Sequence, residues 1–177
     1  MMNEIFPILK VDDLILRQII IDDLPNIFSG LSNPAIIKYY GVSYNSLDET
    51  QEQMEWFAAL EKDGTGVWWA IVNVENKMFL GAVGLNNLSQ IHKKAEIGFW
   101  LLPAYWGKGV MKKAIELVCN YAFAELNLHR IEALVETENI NSKKILIKSN
   151  FNYEGTMVDC EIKNGNFISL ESYAKLH

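Results

Sequence analysis

The sequence predicts an α/β (α+β) fold in which a mixed, largely antiparallel central sheet of about seven strands is flanked by helices. Three observations predict it. Segments of period-two apolar alternation interleave with segments of helical period, in the order strand, helices, three strands, helix, strand, helix, two strands. Glu75-Asn76-Lys77 and Asn164-Gly165 are short polar breaks of the kind that join antiparallel strands. Half of the 177 residues are apolar, enough for one substantial core. No repeat, low-complexity tract or linker interrupts residues 1–177, which read as a single domain.

Leu14 to Ile19 alternates as a first strand, and Asp22 or Asp23 then reads as the N-cap of a helix carrying Pro25 in its first turn. A second helical stretch covers Ala35 to Tyr40. Glu49 to Lys62 places Met54, Trp56, Phe57 and Leu60 at helical spacing and stops at Gly64. Val67 to Val74 and Met78 to Leu88, rich in β-branched and aromatic residues, form a hairpin about residues 75–77. Ala95 to Leu102 is a further strand, ended by Pro103. The helix that follows Gly109 runs to about Leu126 and puts Met111, Ala114, Ile115, Val118 and Ala122 on one face. Ile131, Ala133 and Val135 alternate in the next strand. Asn139 supplies the side-chain oxygen that caps a helix reaching Ser149, and Phe151 to Ile162 with Asn166 to Ala174 make a closing hairpin.

Composition excludes several classes of function. A net charge of −6 repels a phosphate backbone and so disfavours nucleic acid as a partner, while it suits cationic or amine-bearing ligands. No apolar run approaches the roughly 18–20 residues that span a bilayer. Met1 to Lys10 holds an acidic residue and a proline where a secretory leader needs a basic start and a long apolar stretch. The expectation is a cytoplasmic protein without a membrane partner. The two cysteines, Cys119 and Cys160, are far apart and belong to no metal-ligand or redox spacing, so no metal site is expected.

The stretch richest in chemistry is Trp106-Gly107-Lys108-Gly109-Val110-Met111, between a strand and a helix. Glycines let the backbone approach a ligand, and successive N–H groups opening a helix favour an anion, so a phosphate-bearing ligand is expected here. The Walker pattern fails because Gly109 follows Lys108 where Ser or Thr is needed, and the dinucleotide fingerprint fails because Lys112 replaces its third glycine.

Together with four other stretches, this one resembles the GNAT N-acetyltransferase superfamily, in particular its branch of ribosomal-protein serine and alanine N-terminal acetyltransferases. The others are Ala95-Glu96-Ile97-Gly98-Phe99-Trp100, Asn127-Leu128-His129-Arg130-Ile131, Asn139-Ile140-Asn141-Ser142, and Lys148-Ser149-Asn150-Phe151 leading to Glu154-Gly155. Their order and spacing follow the family from Leu14 to Leu176. The resemblance implies acetyl-CoA as cosubstrate, held where the strands ending near Leu102 and Glu136 splay apart. It implies that the pyrophosphate lies against Trp106, Gly107, Lys108, Gly109, Val110, Met111 and Lys112, with Met111 turned into the core. The pantetheine arm is implied along the backbone of Phe99, Trp100 and Leu101, with an N–H near Leu101 polarising the thioester carbonyl, and Asn139 and Ser142 are implied as further contacts. Lys143, Lys144 and Lys148 are candidates for the 3'-phosphate.

Acetyl transfer to an amine needs a neutral nucleophile, a positioned thioester and an acid for the thiolate. Glu96, Glu136 and Glu161 are the candidate carboxylates. The resemblance favours Glu161 as base with Ser142 as acid, and keeps Glu96 as the rival base. The tyrosine that many family members use as acid is replaced here by Leu146, which weakens the case for polyamine substrates. The expected acceptor is a peptide N-terminal α-amine, attacked through a tetrahedral intermediate. A polyamine, an aminoglycoside or another small amine is the alternative within the class, and a non-catalytic acetyl-CoA sensor the alternative outside it. Specificity is expected from residues 22–62 and 155–166, with Tyr39, Tyr40, Tyr44, Trp56 and Trp68 either lining a groove or packing the core. Relatives also imply a homodimer through the sheet edge or the closing hairpin.

Overall fold

The computed structural model describes residues 6–177. Met1–Ile5, the start of the segment read as lacking a leader, lie outside the described residues. Among the described residues, eight strands form one sheet in the order β1-β2-β3-β4-β5-β6-β8-β7. They are β1 (Leu9–Val11), β2 (Leu14–Gln18), β3 (Val67–Asn73), β4 (Phe79–Ser89), β5 (Lys94–Leu101), β6 (Arg130–Glu136), β7 (Asn152–Lys163) and β8 (Asn166–Leu176). The helices are α1 (Leu24–Leu31), α2 (Pro34–Ile37), α3 (Leu47–Asp63), α4 (Val110–Ala124) and α5 (Ile140–Lys148). Neighbouring strands are antiparallel except β5 and β6, which run parallel.

Strand β1 is the element that sequence reading omits. Its three residues are too few to show a period, and it forms because a tight turn with Asp12 at φ 49° folds Leu9–Val11 back onto Leu14–Leu16. Of the two expected caps, Asp23 does hold the N-cap position of α1, with Pro25 in the first turn, but its side chain makes no capping bond. A short 3-10 turn spans Ile21–Asp23, and the Asp23 carboxylate accepts the Arg17 guanidinium at 2.7 and 2.8 Å and the Ile20 N–H at 2.9 Å, not the first turn of α1. The stretch expected to be helical to Tyr40 leaves the α-helix at Ile37, because Tyr39 and Tyr40 N–H groups bond three residues back, to Ile36 and Ile37, before Gly41.

Elsewhere local chemistry sets the boundaries. Ser46 caps α3 by accepting the Glu49 N–H at 3.1 Å, the Glu49 carboxylate returns to the Asn45 N–H at 2.8 Å, and Gly64 ends the helix at φ 67°. Asn164 and Gly165, at φ 51° and 78°, have the two consecutive left-handed conformations that suit a tight hairpin between β7 and β8.

Alternation along the strands divides the apolar side chains between two faces. On one, Trp69, Ile71, Leu85, Ile97 and Ile131 pack against Ala114, Ile115 and Val118 of α4 and Leu146 of α5. On the other, Trp68, Ala70, Ala82 and Trp100 pack against Ile27 and Leu31 of α1, Ile36 of α2 and Phe57 of α3. Helices α1–α3 cover β2–β5 on this second face, and Glu96, two residues from Gly98 and four from Trp100, points to the same side.

Candidate active site

Strands β5 and β6 pair only at Lys94 with Arg130, Ala95 with Ile131 and Glu96 with Glu132. Beyond these pairs they diverge, and residues 97–101 of β5 lose their neighbour on that side while keeping β4 on the other. The Leu102 N–H donates to the Leu80 carbonyl at 2.9 Å, so Trp100 N–H also faces β4 by alternation, whereas the N–H groups of Phe99 and Leu101 face the opening. The Leu101 carbonyl, on that open side, accepts the indole N–H of Trp106 at 2.8 Å. One cleft-facing polar group at the end of β5 is thereby satisfied within the chain, and the Leu101 N–H beside it is left as a donor.

The loop after β5 leads into α4 through Gly107 and Gly109, at φ 73° and 78°. A side chain at either would meet no atom within 4 Å, so glycine is required by conformation and not by space. Gly109 is the N-cap residue and offers no side-chain acceptor, which leaves the N–H groups of the first turn of α4 directed outward. Met111 is buried at 8% exposure and turns into the core, as expected. Lys108 lies over the Tyr105 ring, 5.5 Å from its centroid, and Lys112 pairs with Glu116 at 2.5 Å. This loop fits a pyrophosphate, and the unpaired edge of β5 fits an extended pantetheine arm.

On the face of the sheet that carries α1–α3, a cavity of about 290 Å³ lies beyond the divergence of β5 and β6. It is lined by Glu96, by Leu134 and Glu136 of β6, by Glu161, Ile162 and Lys163 of β7, by Ile168 and Leu170 of β8, and by Tyr39 and Gly41 of the α2–α3 connection. Glu96 and Glu161 therefore share one wall space although they lie in strands separated by two others. Glu96 is half-buried, and burial pushes its carboxyl up. The Asn87 amide, donating at 3.1 Å, pulls the other way; Glu132 and Glu161 add to the rise and Lys94 offsets part of it. Asn87 takes a left-handed conformation, φ 50°, at the irregularity between Asn86 and Ser89 where β4 departs from regular pairing with β5.

The hinge of the divergence is pinned by ion pairs. Glu132 meets Lys94 at 3.1 Å and Arg130 at 2.7 Å, and the Arg130 guanidinium also pairs with Glu154. Against the upward push of burial, the hydrogen bonds from Arg130 and Lys94 hold the Glu132 carboxyl below the usual range. Glu136, at the far end of β6, pairs with Lys163, whose ammonium also reaches the Lys38 carbonyl.

Asn139 caps α5 by accepting the Ser142 N–H at 3.1 Å. Ser142 lies one turn before Leu146, on the side of α5 that packs with α4, and so on the opposite face of the sheet from Glu161. The structure thus brings Glu96 and Glu161 together in the cavity and leaves Ser142 across the cleft from both. Lys143 is taken by Glu171 at 2.9 Å, whereas Lys144 and Lys148 are exposed. Of the aromatic residues weighed as groove or core, Tyr39 lines the cavity and Trp68 is buried. Sequence reading overlooked Asn87 and Lys163, and no local pattern marks either, since each acts on a carboxylate of another strand. Among the described residues no helix is long and apolar enough to cross a membrane, and no group of His, Cys, Asp or Glu is arranged to hold a metal ion.

Comparison with known proteins agrees with this geometry. Residues 13–152 match the family model described as acetyltransferase (GNAT) domain. The chain is 37% identical over 161 residues to a Bacillus subtilis protein named uncharacterized N-acetyltransferase YoaA, covering 90% of this chain and 91% of that one. Among solved structures, a ribosomal-protein alpha-N-acetyltransferase in complex with coenzyme A superposes with a TM-score of 0.87 at 22% identity, covering 96% of this chain and 98% of that one. The spermidine N-acetyltransferase of Vibrio cholerae, in complex with CoA and spermine, superposes with a TM-score of 0.82 at 27% identity, over 93% and 95% of the two chains. A sheet opened between the parallel strands β5 and β6, a glycine loop at a helix start beside the opening, and this match over most of the sequence place the chain in the GNAT family as an acetyl-CoA-dependent N-acetyltransferase.

Proposed function

We propose that the acceptor is the α-amine of a peptide N-terminus and that it enters the cavity bounded by Glu96, Glu161 and Tyr39. The observation that carries this reading is the shape of the charge in that cavity. Glu136 is already matched by Lys163, which leaves the Glu96–Glu161 pair for a single ammonium, and the exposed side chains of Ile162 and Leu134 beside it form an apolar shelf for the residues that follow a terminal amine. An α-amine, with pKa near 8, also asks less of a base than a lysine at about 10.4. The acidic lining supports a second reading, a polyamine acceptor, as named for the Vibrio cholerae neighbour.

Acetyl-CoA supplies an activated acetyl thioester. In our reading the first turn of α4, with Gly107, Lys108, Gly109 and Val110, receives the pyrophosphate, while Trp106, Met111 and Lys112 shape the loop by packing and pairing within the chain. Phe99 and Leu101 hold the pantetheine arm by their cleft-facing backbone, and Trp100 contributes by locking β5 onto β4. The Leu101 N–H steadies the thioester oxygen as it gains charge, an effect worth about 3 kcal/mol for one donor. Asn139 and Ser142 approach from the α5 side.

Glu96 removes the proton of the incoming ammonium, directly or through a water, and Glu161 orients that ammonium. This reverses the order expected from sequence, which set Glu161 first, because burial raises the Glu96 carboxyl toward the basicity a proton acceptor needs. Ser142, with no hydrogen bond from its hydroxyl to the described residues, acts as acid for the thiolate from the opposite face. Base and acid then flank the reacting carbon from opposite sides. Two copies of the chain associating through the closing hairpin is the further partner we propose, supported by exposed Val158 and Phe167, and solution mass measurement tests it.

The test is mass-spectrometric detection of acetyl transfer from acetyl-CoA to Ser- and Ala-started peptides, spermidine, aminoglycosides and free amino acids. Acetylation of a peptide at its α-amine alone supports the reading. Acetylation of spermidine or an aminoglycoside with every peptide untouched overturns it. A Ser142→Ala variant with unchanged kcat removes the acid role of Ser142.

A further inference from the structure

The acceptor cavity holds three carboxylates, Glu96, Glu136 and Glu161, and one ammonium, that of Lys163. The ammonium is not free in the cavity. It is held between the Glu136 carboxylate and the Lys38 backbone carbonyl, and both ionic side chains are largely buried, at 21% and 15% exposure for Lys163 and Glu136. Lys38 follows α2, where backbone carbonyls have no helical partner, so the carbonyl is a natural ligand for a cation. A carboxylate and a carbonyl converging on one point form a receptor for an alkylammonium group. Here the chain fills that receptor with a side chain of its own, from the last residue of β7, 125 positions away from Lys38.

We propose that Lys163 sets the charge selectivity of the acceptor site by occupying the position that the second ammonium of a diamine would take. The inference rests on the reading of this cavity as the acceptor site. With Lys163 in place, the far ammonium of a diamine finds neither Glu136 nor the Lys38 carbonyl available, and an acceptor with one positive charge loses nothing. Without it, Glu136 is left as an uncompensated carboxylate beside a vacant carbonyl, and a second ammonium gains a partner. The same contact spans from the hairpin to the α2–α3 connection, so Lys163 also ties down one edge of the cavity next to Tyr39 and Gly41.

The experiment compares equilibrium binding of n-butylamine with that of 1,3-diaminopropane, 1,4-diaminobutane and 1,5-diaminopentane, by calorimetry or ligand-observed NMR on the full chain. Binding is read without acetyl-CoA, so the result does not depend on which acceptor is turned over. Lys163→Met is expected to improve the affinity for at least one diamine relative to n-butylamine by roughly fivefold, the scale of one partly buried charge pair. Lys163→Arg is expected to keep the wild-type ratio, and adding Glu136→Gln to Lys163→Met to restore it. An unchanged ratio at all three lengths in Lys163→Met, a double variant that keeps the gain, or no amine binding by either protein overturns the proposal. Should Lys163→Met fail to fold, Glu136→Gln alone serves: it leaves the Lys163 ammonium unmatched and is expected to weaken every amine, and unaltered affinities overturn the proposal. Peptide acetylation by the wild type judges the acceptor reading separately, since a chain that acetylates spermidine and no peptide defeats that reading while the binding ratio still decides the role of Lys163.

Discussion

The side-chain amide of Asn87 donates to the Glu96 carboxylate at 3.1 Å, across the irregularity where β4 and β5 fall out of register. Asn87 holds a left-handed conformation to do so, and Asn is among the few residues with a side chain that tolerate one. The contact counteracts the rise that burial imposes on Glu96. With Glu96 as base, kcat/KM increases with pH as the carboxyl ionises. Asn87→Ala removes the opposing contribution, so the acidic limb of the profile moves to higher pH, whereas Glu96→Gln abolishes that limb and lowers kcat by about 100-fold. A Glu96→Gln enzyme with wild-type kcat assigns the proton to another group.

The same carboxyl makes stability depend on pH. Its ionised form is disfavoured by folding, so the folded protein binds this proton more tightly than the unfolded chain does. The penalty is absent below the unfolded pKa and grows as pH rises through the folded one. Glu96→Gln is therefore expected to raise Tm at pH 7 and to leave it nearly unchanged at pH 4, as checked by thermal scans at the two pH values.

Gly109→Ala tests the loop at the start of α4. The left-handed φ of 78° costs a residue with a Cβ about 1 kcal/mol, and the open space around it adds no clash. A small fall in Tm is expected with a larger loss, about tenfold, in affinity for coenzyme A measured by calorimetry, because the first-turn N–H groups are re-aimed. Unaltered affinity removes the pyrophosphate from this loop.

Trp106→Phe keeps the bulk of the ring and deletes the donor to the Leu101 carbonyl. Loss of one such hydrogen bond costs about 1 kcal/mol, and the strand end that presents the Leu101 N–H becomes less fixed. The expected result is a fall of roughly fivefold in kcat with little change in KM for acetyl-CoA.

Arg17→Met separates stability from chemistry. Asp23 is 3% exposed and receives both arms of the Arg17 guanidinium, so removing the cation strands a buried carboxylate. A loss of about 3 kcal/mol in urea denaturation is expected, with acetyl-CoA affinity retained by the folded fraction.

What the amino-acid sequence determined unaided is the order of the longer elements and the glycine loop. Those signals are local: Asn139 caps a helix within three residues, Gly64 and Gly165 permit left-handed turns, and Met111, Ala114, Ile115 and Val118 follow one helical face. Whatever depended on pairing across long separations was less legible. Leu9–Val11 is a strand only because Leu14–Leu16 lies beside it, and the Asp23 carboxylate, at the N-cap position of α1, leaves the first turn uncapped because Arg17 offers a buried carboxylate a stronger partner.

The site divides in the same way. Residue type made Glu96, Glu136 and Glu161 chemically able, and the resemblance to the family singled out Glu161 with Ser142 and said where a cofactor cleft belongs. Only the tertiary structure decided that β5 and β6 part after Glu96, that alternation sends Glu96 and Glu161 to one face and α5 with Ser142 to the other, and that Lys163 reaches from the closing hairpin to Glu136 and Lys38. The physical reason is that side-chain chemistry is carried by each residue, whereas desolvation and ion pairing depend on which strands the sheet makes neighbours.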